Sequence, residues 1–297
     1  MRKIKWVCIL MACAAVAKAF SQNDEKGNND KLTKRKFKIV DANILLGAEV
    51  QQSPRGSFTD FQKLNPQSTL LSANMNGYIA SKGYGGMGGP AFGASLGIAR
   101  LNNENNKSTT EFRVGISFTG INISNSFTKT DTKPYDTLIS SQTGQTVYSD
   151  SVTSHSYKMN YTSQQVKVDV SAIYRTNKAA RWSLYGGIGI EAGETVMAFT
   201  DIDYTERRAI KPAYIISSSS GNNNLSQSER FINNNGFQFA AYLPLGIDFR
   251  VGAKKEFFKQ LHLFYEARPF LSNTNIPELG SITGVGLKMG FGLRVTI

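Results

Sequence analysis

The chain has 297 residues, with 34 Lys and Arg against 22 Asp and Glu and a formal net charge of +12; 40 % of it is hydrophobic, 11 % aromatic and only 19 % charged, with 27 Gly. That length allows one large or two ordinary domains, and a composition rich in glycine and aromatics but poor in charge leans towards all-β. No stretch approaches eighteen consecutive apolar residues, which excludes a helical membrane protein, so any passage through a bilayer has to be made by a closed barrel.

The first residues, MRKIKWVCILMACAAVAKAF, join a basic head (Arg2, Lys3, Lys5) to an apolar run from Trp6 to Val16 and the triplet Ala17-Lys18-Ala19. They read as a secretory signal over residues 1–19, with an apolar run too short to span a bilayer. Cys8 and Cys13 both lie inside it, so the mature chain is expected to carry no disulfide and no thiolate metal site. Leu10-Met11-Ala12-Cys13 also reads as a lipoprotein cleavage box that would leave Cys13 lipidated, and both readings stand. Cleavage near Ala19 removes Arg2, Lys3, Lys5 and Lys18, taking the charge from +12 to about +8. Residues 20–36 are polar and aperiodic and read as a flexible leader.

From residue 37 onward period-2 alternation recurs in eight segments. In chain order they run Val40–Val50, Phe92–Ile98, Glu111–Phe118, Val166–Arg175, Trp182–Ala192, Phe237–Val251, Leu261–Ala267 and Val285–Ile297. Connections after the second, fourth and sixth are short (LNNENNKSTT, TNKAA, GAKKEFFKQ). Those after the first, third and fifth run to about thirty or forty residues, and the one after the seventh to about fourteen. Several structureless loops that long are foreign to a compact soluble domain, whereas a membrane barrel has tight turns on one rim and long loops on the other. Residues 37–297 are therefore expected to form a single eight-stranded antiparallel up-and-down transmembrane β-barrel. Several segments exceed the length needed to cross and would carry the sheet past the outer surface.

Volume decides which face meets lipid. Some forty mostly large apolar side chains would overfill an eight-stranded interior, which is only just wide enough for side chains; the opposite set is mainly Gly, Ser and scattered charges. That inward set balances seven of each sign: Arg113, Lys167, Arg175, Arg250, Arg268, Lys288 and Arg294 against Asp41, Glu49, Glu111, Asp169, Glu191, Asp248 and Glu266. Because an unpaired buried charge costs several kcal/mol, they are expected to form an ion-paired plug. Phe112, Tyr174, Trp182 and Phe249 each lie within a few residues of a short turn, where an interfacial aromatic girdle belongs.

This pattern resembles the small outer-membrane β-barrels of Gram-negative bacteria. It is most similar to the PorT-like barrels of Bacteroidetes, with OmpX and OmpA as architectural relatives. The resemblance implies residence in the cell outer membrane and contact with its lipids. The terminal strand, VGLKMGFGLRVTI, resembles the one such proteins present to the barrel-assembly machinery, although Ile297 stands where that family usually ends in Phe or Trp.

No catalytic, metal or cofactor site is expected. His155, in YSDSVTSHSYKM, falls in the long connection before the fourth strand beside Asp150, Ser151, Ser154 and Ser156. It does not match the His-x-Ser arrangement that lipid A deacylases resemble. His262 is expected to join the plug, and two distant histidines without cysteine do not make a metal site. The glycine run Tyr84–Gly93 lacks the Lys-Ser/Thr of a phosphate loop and reads as a flexible entry into the second strand. The basic excess (Lys34, Arg35, Lys36, Lys178, Lys254, Lys255, Lys259) comes with no basic helix or stacking platform, so headgroup contact is expected and nucleic acid is not. The expected role is structural or one of surface interaction, with any ligand or envelope partner held by the Ser-, Thr- and Asn-rich loops such as Tyr214–Asn235. A lipid A-modifying enzyme, a narrow pore and a soluble periplasmic ligand-binding barrel are the alternatives.

Overall fold

A computed structural model describes residues 36–52, 56–72, 75–81, 86–101, 110–139, 142, 144, 146–176, 180–211, 225–252 and 256–297. The expected signal and all of the expected leader but Lys36 lie outside the described residues. Eleven strands form one antiparallel sheet: β1 (Lys36–Gln52), β2 (Ile79–Ala80), β3 (Gly86–Leu101), β4 (Thr110–Ile139), β5 (Thr146–Arg175), β6 (Trp182–Lys211), β7 (Leu225–Ile232), β8 (Phe237–Tyr242), β9 (Leu245–Arg250), β10 (Leu261–Ile276) and β11 (Gly280–Thr296). Two short helices accompany them, α1 (Phe58–Leu64) and α2 (Glu256–Gln260).

The sheet closes on itself. Going round the ring, β1 pairs with β3, then β4, β5, β6, the broken strand β8–β9, β10 and β11, which pairs back to β1 from Asp41↔Thr296 to Gln51↔Gly286. The backbone N–H of Ile297 adds a last bond of 2.9 Å to the Val40 carbonyl. This is an eight-stranded up-and-down barrel with every ring strand beside its chain neighbour.

The sixth expected strand is not continuous. It breaks between β8 and β9 at Leu243-Pro244, because proline brings no N–H to the ladder; the register with β10 carries across the break, where the Leu243 N–H donates to the Pro269 carbonyl at 3.0 Å.

Two of the connections expected to be long loops, those after the third and fifth segments, are largely strand. β4, β5 and β6 are 30 residues each, about 100 Å of extended chain where a transmembrane strand needs only about 9–11 residues. Their outer halves leave the barrel as a sheet edged by β2 and β7. The reason the sequence hides this is a change of phase. Within the barrel the even positions of β4 (Phe112, Ile116, Phe118) are exposed on the outer wall. Beyond it the odd positions Ile121, Ile123 and Phe127 are buried, and the polar residues Asn122 and Ser124 are the exposed ones. An alternation that reverses its faces reads in one dimension as a strand that has ended.

The glycine run is likewise strand from Gly86 onward, not a flexible entry; Tyr84 and Gly85 lie outside the described residues. Of the Tyr214–Asn235 connection, residues 225–232 are β7, and residues 214–224 lie outside the described residues.

The connection from β1 to β3 folds into α1, a 3-10 turn at Leu70–Ser72 and β2. Ser57 and Asp60 form a capping box that starts α1. Phe61, Leu64 and Leu71 then pack on Ile121, Ile123, Phe127, Tyr157, Met159, Tyr161, Ala198, Ile202 and Ile276. The segment is a lid with its own apolar core, laid on the continuation of the lumen-facing surface.

Candidate functional site: a charged lumen beneath a lidded outer sheet

The outer wall exposes Ile44, Leu46, Phe92, Leu96, Ile116, Val170, Leu184, Ile188, Ile190, Leu245, Ile247, Leu263, Leu293 and Val295. An apolar belt of that extent is far larger than a water-facing surface carries. Phe112, Tyr174 and Trp182 are exposed at the short-turn end of this wall. Phe249 is half-buried beside them, its ring 4.5 Å from Trp182 and capped by the Arg181 guanidinium at 5.0 Å. Lys259 is the one turn lysine of the basic set whose neighbourhood is described; Lys34, Arg35, Lys178, Lys254 and Lys255 lie outside the described residues.

Inside, the acids and bases fall into three tiers. At the short-turn end Arg175 bridges Glu111 (3.3 Å) and Asp248 (3.0 Å), while Arg294 joins Asp248 (2.7 Å) and Asp41 (3.4 Å). The His262 ring nitrogen Nδ1 sits between Asp248 and Arg294. In the middle, Arg113 reaches Glu266 at 2.8 Å, the Tyr185 hydroxyl donates to the same carboxylate at 2.7 Å, and Arg268 lies between Glu266 and Asp169. Above them Lys167 holds Glu49 and Glu191 at 3.1 and 3.2 Å, and Lys288 holds the same two acids at 3.3 and 2.8 Å. All of these side chains are under 10 % exposed, so each charge depends on its partner.

Arg250 departs from the expected plug. It is half-buried and forms no ion pair among the described residues; its cross-strand neighbour is His262, and the Asp248 carboxylate is already held by Arg175, Arg294 and His262.

Room for these groups comes from glycine: a Cβ on Gly97 would collide with the Asp41 carboxylate. The lumen is also filled by apolar bodies that composition did not single out, Leu45, Ile173, Phe264 and Phe270. A small cavity in the lumen is lined by Asn43, Ser95, Arg113, Ser117, Asp169 and Arg268.

His155 lies in strand, not in a loop. Its inward-facing ring stacks on Tyr204, and its Nδ1 is 2.7 Å from the Tyr204 hydroxyl. Asp131 and Glu206 stand at 3.5 and 3.7 Å from its ring nitrogens. Hydrogen bonding from Arg208 holds the Glu206 carboxyl below its usual range, and burial, together with the neighbouring Tyr157 hydroxyl, pushes Tyr78 up to about 12. Ser154 and Ser156, the adjacent residues, point to the opposite face, as strand geometry requires. Among the described residues no group of three or more His, Cys, Asp or Glu is placed to hold a metal ion.

The lid is tied down by polar side chains of the outer sheet. Asn125 Nδ2 donates to the Gly56 carbonyl at 2.9 Å, the Tyr157 hydroxyl to Leu70 at 3.1 Å and Asn233 Nδ2 to Leu64 at 3.0 Å. Glu229 on β7 accepts from Ser68 Oγ and from the Thr69 N–H and hydroxyl. Burial would raise its pKa, yet these bonds hold its carboxyl below the usual range.

A closed ring with an apolar outer wall and a charged, filled lumen has one setting. The chain is a membrane-spanning β-barrel, of the outer-membrane type. No protein-family model matches it, and no curated protein does. Among solved structures it is similar to Neisserial surface protein A, at 11% identity over 88% of this chain and 99% of that one, with a TM-score of 0.36. The attachment invasion locus protein Ail of Yersinia pestis, solved with the heparin analogue sucrose octasulfate, is 12% identical over 86% and 99% with a TM-score of 0.28. OprG of Pseudomonas aeruginosa is 10% identical over 88% and 98% with a TM-score of 0.28.

Proposed function

We propose that this protein is a non-conducting barrel of the outer membrane, of the PorT-like kind, whose working part is the sheet it holds outside the bilayer. The observation that carries this is the second core: β4, β5 and β6 continue well past the apolar belt, reverse their apolar face and bury it under the lid. A barrel serving only as a membrane plug has no use for that extension, and binding surfaces are commonly built on such rigid projections. The ion-paired lumen supports the non-conducting reading, since an eight-stranded interior is filled by its own side chains. A hydrolase built on His155 is disfavoured because its Nδ1 is engaged by Tyr204 and its sequence-neighbour serines Ser154 and Ser156 lie on the other face.

The test is topological. Thr205 is on the outward face of the projecting sheet and Thr296 is beside the short-turn rim. With Cys8 and Cys13 in the signal segment, T205C is expected to react with a membrane-impermeant maleimide on whole cells and T296C only after the envelope is opened. The reverse pattern would overturn the orientation, and sustained single-channel steps in a planar bilayer would overturn the closed lumen.

A further inference from the structure

The short-turn rim holds two arginines that the ion-paired lumen does not use. Arg181 stands just before β6 and Arg250 ends β9; the pairing Trp182↔Phe249 makes them the next cross-strand pair, and the Arg250 N–H donates to the Arg181 carbonyl at 2.9 Å. Like charges set directly opposite each other on neighbouring strands are destabilising unless a counter-ion answers both. Neither guanidinium forms an ion pair among the described residues. The nearest acid in sequence is Asp248, and its carboxylate is already held by Arg175, Arg294 and His262.

The aromatic girdle marks the depth of this pair. Trp182 and Phe249 adjoin it with rings 4.5 Å apart, and the Arg181 guanidinium lies over the Phe249 ring at 5.0 Å. Arg181 is thereby turned towards the outer wall; it is exposed, while Arg250 is half-buried. Interfacial aromatics sit at the level of the lipid headgroups, which is where phosphates lie. On the other side of Arg250, α2 folds back on the end of β9 through a bond of 3.0 Å from the Gly252 N–H to the Phe258 carbonyl, bringing the exposed Phe257 and Phe258 to the same rim. Cations and apolar rings therefore meet at one place on the edge of the wall.

We propose that Arg181 and Arg250 form a site for the phosphate of an anionic phospholipid in the leaflet that the short turns face. A guanidinium offers a planar pair of donors that fits two phosphate oxygens, and one phosphate shared between the two arginines replaces their repulsion with attraction. The rings around them contact glycerol and acyl carbons, which a free ion does not have, so the occupant is the lipid. Only the identity of that leaflet rests on the orientation proposed above, and cysteine labelling reads it separately.

The experiment uses residues 20–297 refolded into vesicles of phosphatidylcholine and phosphatidylglycerol. Trp182 is the only tryptophan of that chain and adjoins the site. Brominated acyl chains quench its fluorescence, so brominating one lipid at a time gives the relative binding constant of the two lipids at this rim, whichever way the barrel inserts. Two cations at a headgroup interface are expected to favour phosphatidylglycerol by about ten-fold, falling to about one in R181Q/R250Q. The single variants, each keeping one guanidinium, are expected to lie between, so the reading does not depend on the double variant folding. K158Q, on the outer face of the projecting sheet, is expected to leave the preference unchanged, and every variant is checked for a retained heat-dependent gel shift. No preference in the wild type, or a preference that survives undiminished in the folded arginine variants, would overturn the proposal. Displacement of phosphatidylglycerol by inorganic phosphate, at an ionic strength where chloride leaves it bound, would assign the rim to a free ion and overturn the lipid.

Discussion

The lower and upper halves of β4, β5 and β6 use the same backbone ladder to solve opposite problems. In the belt, Ile116, Val170 and Ile188 face out and Arg113, Lys167 and Glu191 face in; in the projecting half, Ile123, Met159 and Ile202 face in while Asn122, Asn160 and Asp201 lie on the outer face. The difference follows from the solvent. Lipid rewards apolar groups on the outside and forces charges into a shared, paired interior, whereas water rewards the reverse. On β6 the switch is made by one extra residue: the register with β5 slips between Gln165↔Thr195 and Gln164↔Met197, a bulge that moves the inward set from odd to even positions.

The sharpest way to break the lower half is to remove a shared cation. Lys167→Ala leaves Glu49 and Glu191 with only Lys288 between them, and it is expected to cost about 3–5 kcal/mol in urea unfolding from lipid vesicles. If stability is unchanged, the plug is not held by pairing.

The upper half should fail separately. Phe61→Ala empties the centre of the lid core, and a loss of about 3 kcal/mol is expected there. Hydrogen exchange should speed up across α1 and the outer strands while the heat-dependent gel shift survives. Loss of the gel shift would mean that the two cores are one cooperative unit.

Outward positions separate the solvents more gently. Ile188→Arg in the belt is expected to destabilise by about 2–4 kcal/mol, whereas Thr205→Arg on the projecting sheet should stay within about 0.5 kcal/mol. Equal penalties would place Thr205 inside the bilayer.

The smallest effect concerns the latch. The Glu229 carboxyl is held below its usual range in the folded protein. Its contribution is therefore fully present above the ordinary Glu pKa of about 4.3 and is lost as pH falls through the lower folded value. Amide protection factors over Ser68–Ser72, taken relative to intrinsic exchange at each pH, should fall on acidification in the wild type. In Glu229→Gln they should be lower at neutral pH and should not change with acid.

Alternation was the legible part. Its period gave the eight ring strands and the in-or-out sense of every belt position. The glycine-for-bulk asymmetry between faces gave the charged interior. The terminal strand's pattern, apolar at Leu287, Met289, Phe291, Leu293 and Val295 with Lys288 and Arg294 opposite, anticipated a closing strand paired with β1. Less legible was the outer half, where inward apolar residues are spaced by Ser, Thr and Asn, residues that suit loops as well as water-facing strands. His155 was misplaced for that reason.

The sequence by itself determined a barrel and its lining, because a two-residue period facing lipid admits one arrangement of faces. Only the tertiary structure decided which acid meets which base, that Arg250 stands apart from them, that the strands persist beyond the bilayer, and that residues 56–72 fold back as a lid over the lumen. Those outcomes depend on contacts between residues as far apart as Ser68 and Glu229, or Asp41 and Arg294. Periodicity along one strand carries no information about such partners, since they meet only when the ring closes.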